Sequence, residues 1–263
     1  MIYFILAPLA VILIGVAKAG FGGGVGIAAV PMFILATNDP KASLGIMLPL
    51  MCACDLFAIL HYHNTFDRKN LIRLLPGAVL GIAVCGLFLG MIEGKKADEY
   101  LQIMIGVISI AFVIYEMIKI WIFKRLEAYK PKDWHGWFFG FSVGITSTLA
   151  HAGGPPATMY LLPQQLGRRL FVGTTVFFFA VVNATKLIPY AYHNMINFES
   201  MKQSLLLLPF APVGAYLGVW MNKRINEKFF TGVIYAILFL IGLKLTFGFD
   251  PISYLLNLMH NKS

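Results

Sequence analysis

The sequence predicts an all-α, polytopic membrane protein of two inverted repeats, each with a broken-helix hairpin and three transmembrane helices. Three observations predict it. Apolar runs such as 77–92, 101–123, 171–192 and 229–247 meet or approach a bilayer-spanning length, which is roughly 20 residues for a helix. Two shorter apolar segments each follow a glycine-rich break. Residue patterns in the first half recur in the second at a nearly constant offset.

Composition fixes the class. Of the 263 residues, 59% are apolar and only 13% charged, with a mean hydropathy of +0.76. Soluble domains average about 45–50% apolar and about 25% charged residues. One water-soluble core cannot hide this much apolar surface. The chain therefore reads as a single transmembrane domain over 1–263, with repeat 1 at about 1–125 and repeat 2 at about 134–250. The first apolar run begins at Ile2 without a basic leader or a small-residue cleavage site, so it is expected to be retained as a helix. The net charge of +9 reflects Lys and Arg gathered in loops on one membrane face, not a nucleic-acid partner.

Ten apolar segments follow in order: 2–19, 23–37, 43–62, 74–92, 99–123, 134–149, 155–163, 170–192, 203–221 and 229–247. The second and seventh are too short to span. They follow Gly20-Phe21-Gly22-Gly23-Gly24 and His151-Ala152-Gly153-Gly154-Pro155-Pro156, so each is expected to be one arm of a hairpin folded back within the membrane. Tyr62-His63-Asn64 recurs as Tyr192-His193-Asn194, Pro76 and Gly81 as Pro209 and Gly214, and Lys41 and Gly45 as Arg169 and Gly173. The common offset of 128 to 133 residues indicates an internal duplication and sets Asp55 opposite Asn183. Short, glycine- or proline-interrupted segments at matching places in two halves point to a transporter's binding site.

Loop charge tests the count. With each broken segment paired into a unit that starts and ends on one side, thirteen basic residues fall on one face and five on the other. Eight plain crossings would split them eight against ten. The positive-inside rule favours the first arrangement. Each half then has an odd number of segments, the halves are inverted, and both termini face outward, on the periplasmic or extracellular side.

The glycine breaks carry the main chemical expectation. A helix start inside the membrane offers unpaired N–H groups and partial positive charge, a ready anion site. Gly20, Gly22, Gly23 and Gly24, with Gly153 and Gly154, let the backbone approach a ligand. Close helix packing is the plain alternative for these glycines. Lys18 and Lys186 lie within apolar segments, where a charge is a functional candidate; snorkelling to an interface is the alternative. Lys244, near a helix end, is expected to snorkel. Asp55 reads as the one acidic group well inside a span, either ion-paired with Lys18 or Lys186 or carrying a coupling proton. His151 is a candidate both for binding an oxyanion and for coupling. Thr146, Ser147 and Thr148 offer hydroxyls that either meet the ligand or bond back to helix carbonyls. Asn183 completes the candidate binding set. Gln164 and Gln165 are expected at the interface, and His61, His63 and His193 as ordinary helix-end histidines. Cys52, Cys54 and Cys85 read as small buried hydrophobes, with contact to a sulfur-containing ligand left open. No metal spacing, hydrolase motif or nucleotide loop is present, so no cofactor is expected.

Lys18-Ala19-Gly20-Phe21-Gly22-Gly23-Gly24 followed by Pro31, then His151-Ala152-Gly153-Gly154-Pro155, within a duplicated hydrophobic chain, resembles the TauE/SafE sulfite exporter family over nearly the whole length. The resemblance implies an inner-membrane secondary transporter of sulfite or organosulfonates, working mainly in export. The expected partners are a small anion, the lipid bilayer and, as a further candidate, a second copy of the chain in a homodimer. A passive anion channel, a membrane enzyme using His151 and Asp55, and a cation carrier are the competing classes.

Overall fold

The computed structural model describes residues 2–20, 27–91, 95–123, 131–224 and 227–248. All regular structure among them is helical: α1 Ile2–Gly20, α2 Ala29–Thr37, α3 Pro40–Tyr62, α4 Arg68–Met91, α5 Lys95–Phe123, α6 Asp133–Ala150, α7 Gly154–Leu161, α8 Arg168–Tyr192, α9 Phe198–Leu207, α10 Phe210–Arg224 and α11 Glu227–Phe247. Four segments are long and apolar enough to cross a membrane: Pro40–Leu60, Arg68–Met91, Asp98–Lys119 and Arg169–Tyr192. Tyr3–Val16 and Gly232–Phe247 are shorter apolar helices. Ile72, Leu87 and Ile188 stand more than two-thirds exposed on the outer surface. Large apolar side chains facing outward on long apolar helices match lipid, not water. The chain is a multi-pass membrane protein.

Local sequence explains the helix limits. Asp39 caps α3 by accepting from the Ala42 N–H at 2.9 Å, with Pro40 in the first turn. Asp67 accepts from the Asn70 N–H at the start of α4. Asn197 and Ser200 exchange backbone and side-chain bonds at the start of α9. The α2 helix ends at Asn38, and a 3-10 turn over Leu162–Gln164 extends α7 to Gln165; both end residues are left-handed, at φ 53 and φ 52.

One expected segment is interrupted. Residues 203–221 do not form a single helix; α9 and α10 are separated at Leu208 and Pro209. Proline lacks the N–H that would continue the ladder. Pro76, its sequence counterpart, lies inside an unbroken α4.

Helices from the two halves interlock. The most extensive packing joins α4 to α6, then α1 to α10, then α5 to α11, and α3 lies along α8. Glycines permit the closest approaches. A Cβ on Gly81 would strike the Phe141 carbonyl, and one on Gly144 the Ala78 carbonyl. At the other crossing, a Cβ on Gly15 would strike Ala211 and one on Gly214 would strike Ile12. The same holds for Gly45 against Met195 and Gly173 against Thr65. Without a hydrophobic force between helices in lipid, such close contact is what holds them together.

Candidate functional site

The described end of the second glycine break is built around His151. The α6 helix closes with this residue in the left-handed region, at φ 49. Its N–H reaches the Ser147 carbonyl at 3.0 Å, and the Ala152 N–H reaches that of Thr146 at 3.1 Å, satisfying the last carbonyls of the helix. Gly153 follows, where a Cβ would press on Val143, Phe179 and Ser147. At Gly154 an added Cβ would find only Ile27, at 3.9 Å. Ile27 is the first described residue beyond the first glycine break, so the start of α7 and the approach to α2 lie side by side.

The amides at this helix start are fewer than the sequence motif implies. Pro155 and Pro156 carry no N–H, and the Ala157 N–H is given to the Gly153 carbonyl. Gly154 alone supplies a first-turn donor pointing out of α7.

Lys186 reaches the end of α6 from the facing helix. It is fully buried on α8, so it does not snorkel. Its Nζ lies 2.8 Å from His151 Nδ1 and donates to the Ser147 carbonyl at 3.2 Å. His151 Nε2 lies 3.2 Å from the Leu44 carbonyl on α3. The buried Tyr190 hydroxyl donates to the Thr148 carbonyl at 2.6 Å. Cys85, buried on α4, is near enough to Lys186 to feel its charge. On the same face of α8, Asn183 donates to Asp55 Oδ2 at 2.6 Å, and both residues are about 95% buried. The structure thus brings Ser147, His151, Gly153, Gly154, Asn183, Lys186 and Asp55 into the packed region between α3, α6 and α8.

Other expectations resolve differently. The Thr146 and Thr148 hydroxyls donate back to the Ser142 and Gly144 carbonyls. Gln164, half-buried, accepts from Asn70 and donates to the Tyr160 carbonyl, tying the end of α7 to α4. His193 donates from Nε2 to the Gly86 carbonyl, a structural role as expected. Cys52 and Cys54 are half-buried on α3 and Cys85 is buried; none is in a disulfide. Asp55 is not the sole carboxylate within a span: Glu116 on α5 accepts from Lys119 and from Tyr235 of α11. Gly22, Gly23 and Gly24 lie outside the described residues, as do the side chain of Lys18 and the surroundings of Gly20 at the end of α1.

Sequence reasoning missed the backbone carbonyls of Leu44 and Ser147 and the role of Tyr190. Carbonyls leave no residue signature, and a tyrosine in an apolar run reads as packing.

Fold and site define a multi-pass helical membrane protein with a buried, hydrogen-bonded lysine at a broken helix. No group of three or more metal-ligating side chains occurs among the described residues. The chain belongs to the sulfite exporter TauE/SafE family, whose model matches residues 7–245. That family comprises transporters, not enzymes. No curated protein and no solved structure matches the chain.

Proposed function

We propose that the chain is a secondary transporter that exports sulfite or a related organosulfonate across the cytoplasmic membrane by alternating access. The observation that carries this reading is Lys186: a fully buried ammonium held by His151 and Ser147 beside the start of α7. An ammonium within the bilayer is costly and marks a pathway or binding site. The anion sits between Lys186 and the Gly154 N–H, near Ile27, and Gly153 keeps the approach narrow.

An inverted duplication supports the alternating part. Gly15 and Gly144 are 129 residues apart, and Gly81 and Gly214 are 133 apart. Each pair occupies corresponding places in the α1–α10 and α4–α6 crossings. Asp55 and Asn183, counterparts at an offset of 128, touch each other, as residues on a two-fold axis do. The rocking bodies in this reading are not the sequence repeats themselves. They are the cross-repeat units α1–α2–α10 and α4–α6–α7, with α3, α8, α5 and α11 between them. The excess of Lys and Arg at the α3–α4 and α7–α8 turns puts those turns in the cytosol and both termini outside.

The test is binding by purified protein of sulfite, thiosulfate, sulfate, sulfoacetate and carboxylates, read by thermal shift. Sulfite or a sulfonate is expected to bind best. Lys186→Ala is expected to weaken it about 10- to 100-fold, the worth of one charge-assisted hydrogen bond. Equal affinity in the variant would remove Lys186 from the site. Proteoliposomes should show saturable uptake with counterflow.

A further inference from the structure

We propose that His151 couples anion movement to protons: it holds Lys186 in place while the site is empty and takes up a proton when a bound anion draws the ammonium away. This rests on the reading that Lys186 meets the anion.

Hydrogen-bond polarity fixes where the protons lie in this arrangement. The Leu44 carbonyl can only accept, so His151 Nε2 carries the hydrogen at that contact. Nδ1 faces Lys186 Nζ at 2.8 Å, and Nζ also donates to the Ser147 carbonyl. An N–H on Nδ1 and an ammonium N–H cannot both point into that gap. One proton, and so one positive charge, is shared by the two residues.

An oxyanion arriving at Gly154 competes for Lys186, whose flexible stem lets the ammonium turn. Nδ1 is then bare and lies beside a bound negative charge. Imidazole is the side chain whose charge changes between about pH 5 and 8. A proton from water on the open side binds Nδ1; one N–H bond forms and nothing is oxidised. Anion departure returns Lys186 to Nδ1 and expels the proton. Anion and proton therefore cross together.

The neighbouring titratable groups are otherwise engaged. On α8, Tyr190 lies 6.0 Å away between ring centroids and gives its hydroxyl proton to Thr148. On α3, Asp55 accepts from Asn183. On α4, Cys85 is buried. The backbone adds a second reason. The left-handed region is unfavourable for residues other than glycine, yet this position is a histidine at φ 49. Its two ring nitrogens bridge the α3 carbonyl and the α8 ammonium, which glycine cannot do. Strain retained at a charged buried centre points to function.

The experiment uses the full-length protein and sulfite. In proteoliposomes holding a pH-sensitive dye, proton and sulfite fluxes are measured together for wild type, His151→Gln and Asp55→Asn. Glutamine fits this backbone, as Gln165 at φ 52 shows. Wild type should move one proton more per sulfite than His151→Gln at the same pH, which cancels the titration of sulfite itself. Accumulation driven by a pH gradient should fall about tenfold in that variant, the order of one coupling interaction. A ratio that drops in Asp55→Asn and holds in His151→Gln would overturn the assignment. Nitrogen NMR of labelled histidine keeps the test independent of variant activity: the His151 ring should gain its second proton when sulfite saturates wild type. A ring that stays neutral at saturation sinks the proposal while leaving the transport reading intact. Wild type that neither binds nor moves sulfite sinks both.

Discussion

Asn183 and Asp55 are joined by a 2.6 Å hydrogen bond within the packed region. A bond of this kind to a carboxylate contributes about 1.5–3 kcal/mol. Asn183→Leu, which keeps volume and removes the donor, should lower stability by about that amount, seen as an earlier melting transition in detergent. An unchanged transition would mean that Asp55 gains nothing from Asn183. Lys186 and Asn183 were legible as candidates because polar residues inside an apolar run stand out, and His151 because it opens the second glycine break. Their partners were not. Whether the hydroxyls of Thr146 and Thr148 faced a ligand or their own helix depended on side-chain rotation, and both turned back to carbonyls one turn earlier.

Among the elements, the α4–α6 crossing depends on the absence of side chains. Gly77, Gly81, Gly140 and Gly144 all meet backbone of the opposite helix. Gly144→Val should cost about 1–3 kcal/mol by overpacking, and more where backbone must move. Gly167→Ala, at an exposed helix start where a Cβ meets nothing within 4 Å, should stay within about 0.5 kcal/mol. Comparative melting of the two variants checks both, and equal melting would show that the crossing is looser than these contacts imply. Two prolines separate what pattern can and cannot say. Pro76 and Pro209 match in sequence, yet only Pro209 lies at a break between helices. Proline marks a weak place in a helix; the surrounding packing decides whether the helix divides there. The second glycine break was readable as a break, though its two prolines strip amides that a helix start ordinarily presents.

For the whole molecule, the interlocked pairs define what can move. Cross-linking Arg73→Cys to Asp133→Cys with a short reagent ties α4 to α6, where those side chains form an ion pair. Transport should survive, because both helices belong to one rocking unit. A bridge between Ile27→Cys and Gly154→Cys ties the two units at the hairpin ends and should stop transport until it is reduced. The native cysteines are replaced by alanine in both backgrounds. Arrest by the first bridge and not the second would reverse the assignment of rigid bodies.

The sequence alone determined that this chain lives in a membrane, that two segments are broken, and which buried polar residues are unusual. Those features follow from local composition: apolar length, glycine and proline placement, and charges set among apolar neighbours. Only the tertiary structure decided that first-half helices lock onto second-half ones, that Lys186 is held by His151, and that Asn183 meets Asp55. Such contacts span 35 to 128 residues, and no local pattern fixes which distant backbone atom a side chain will reach.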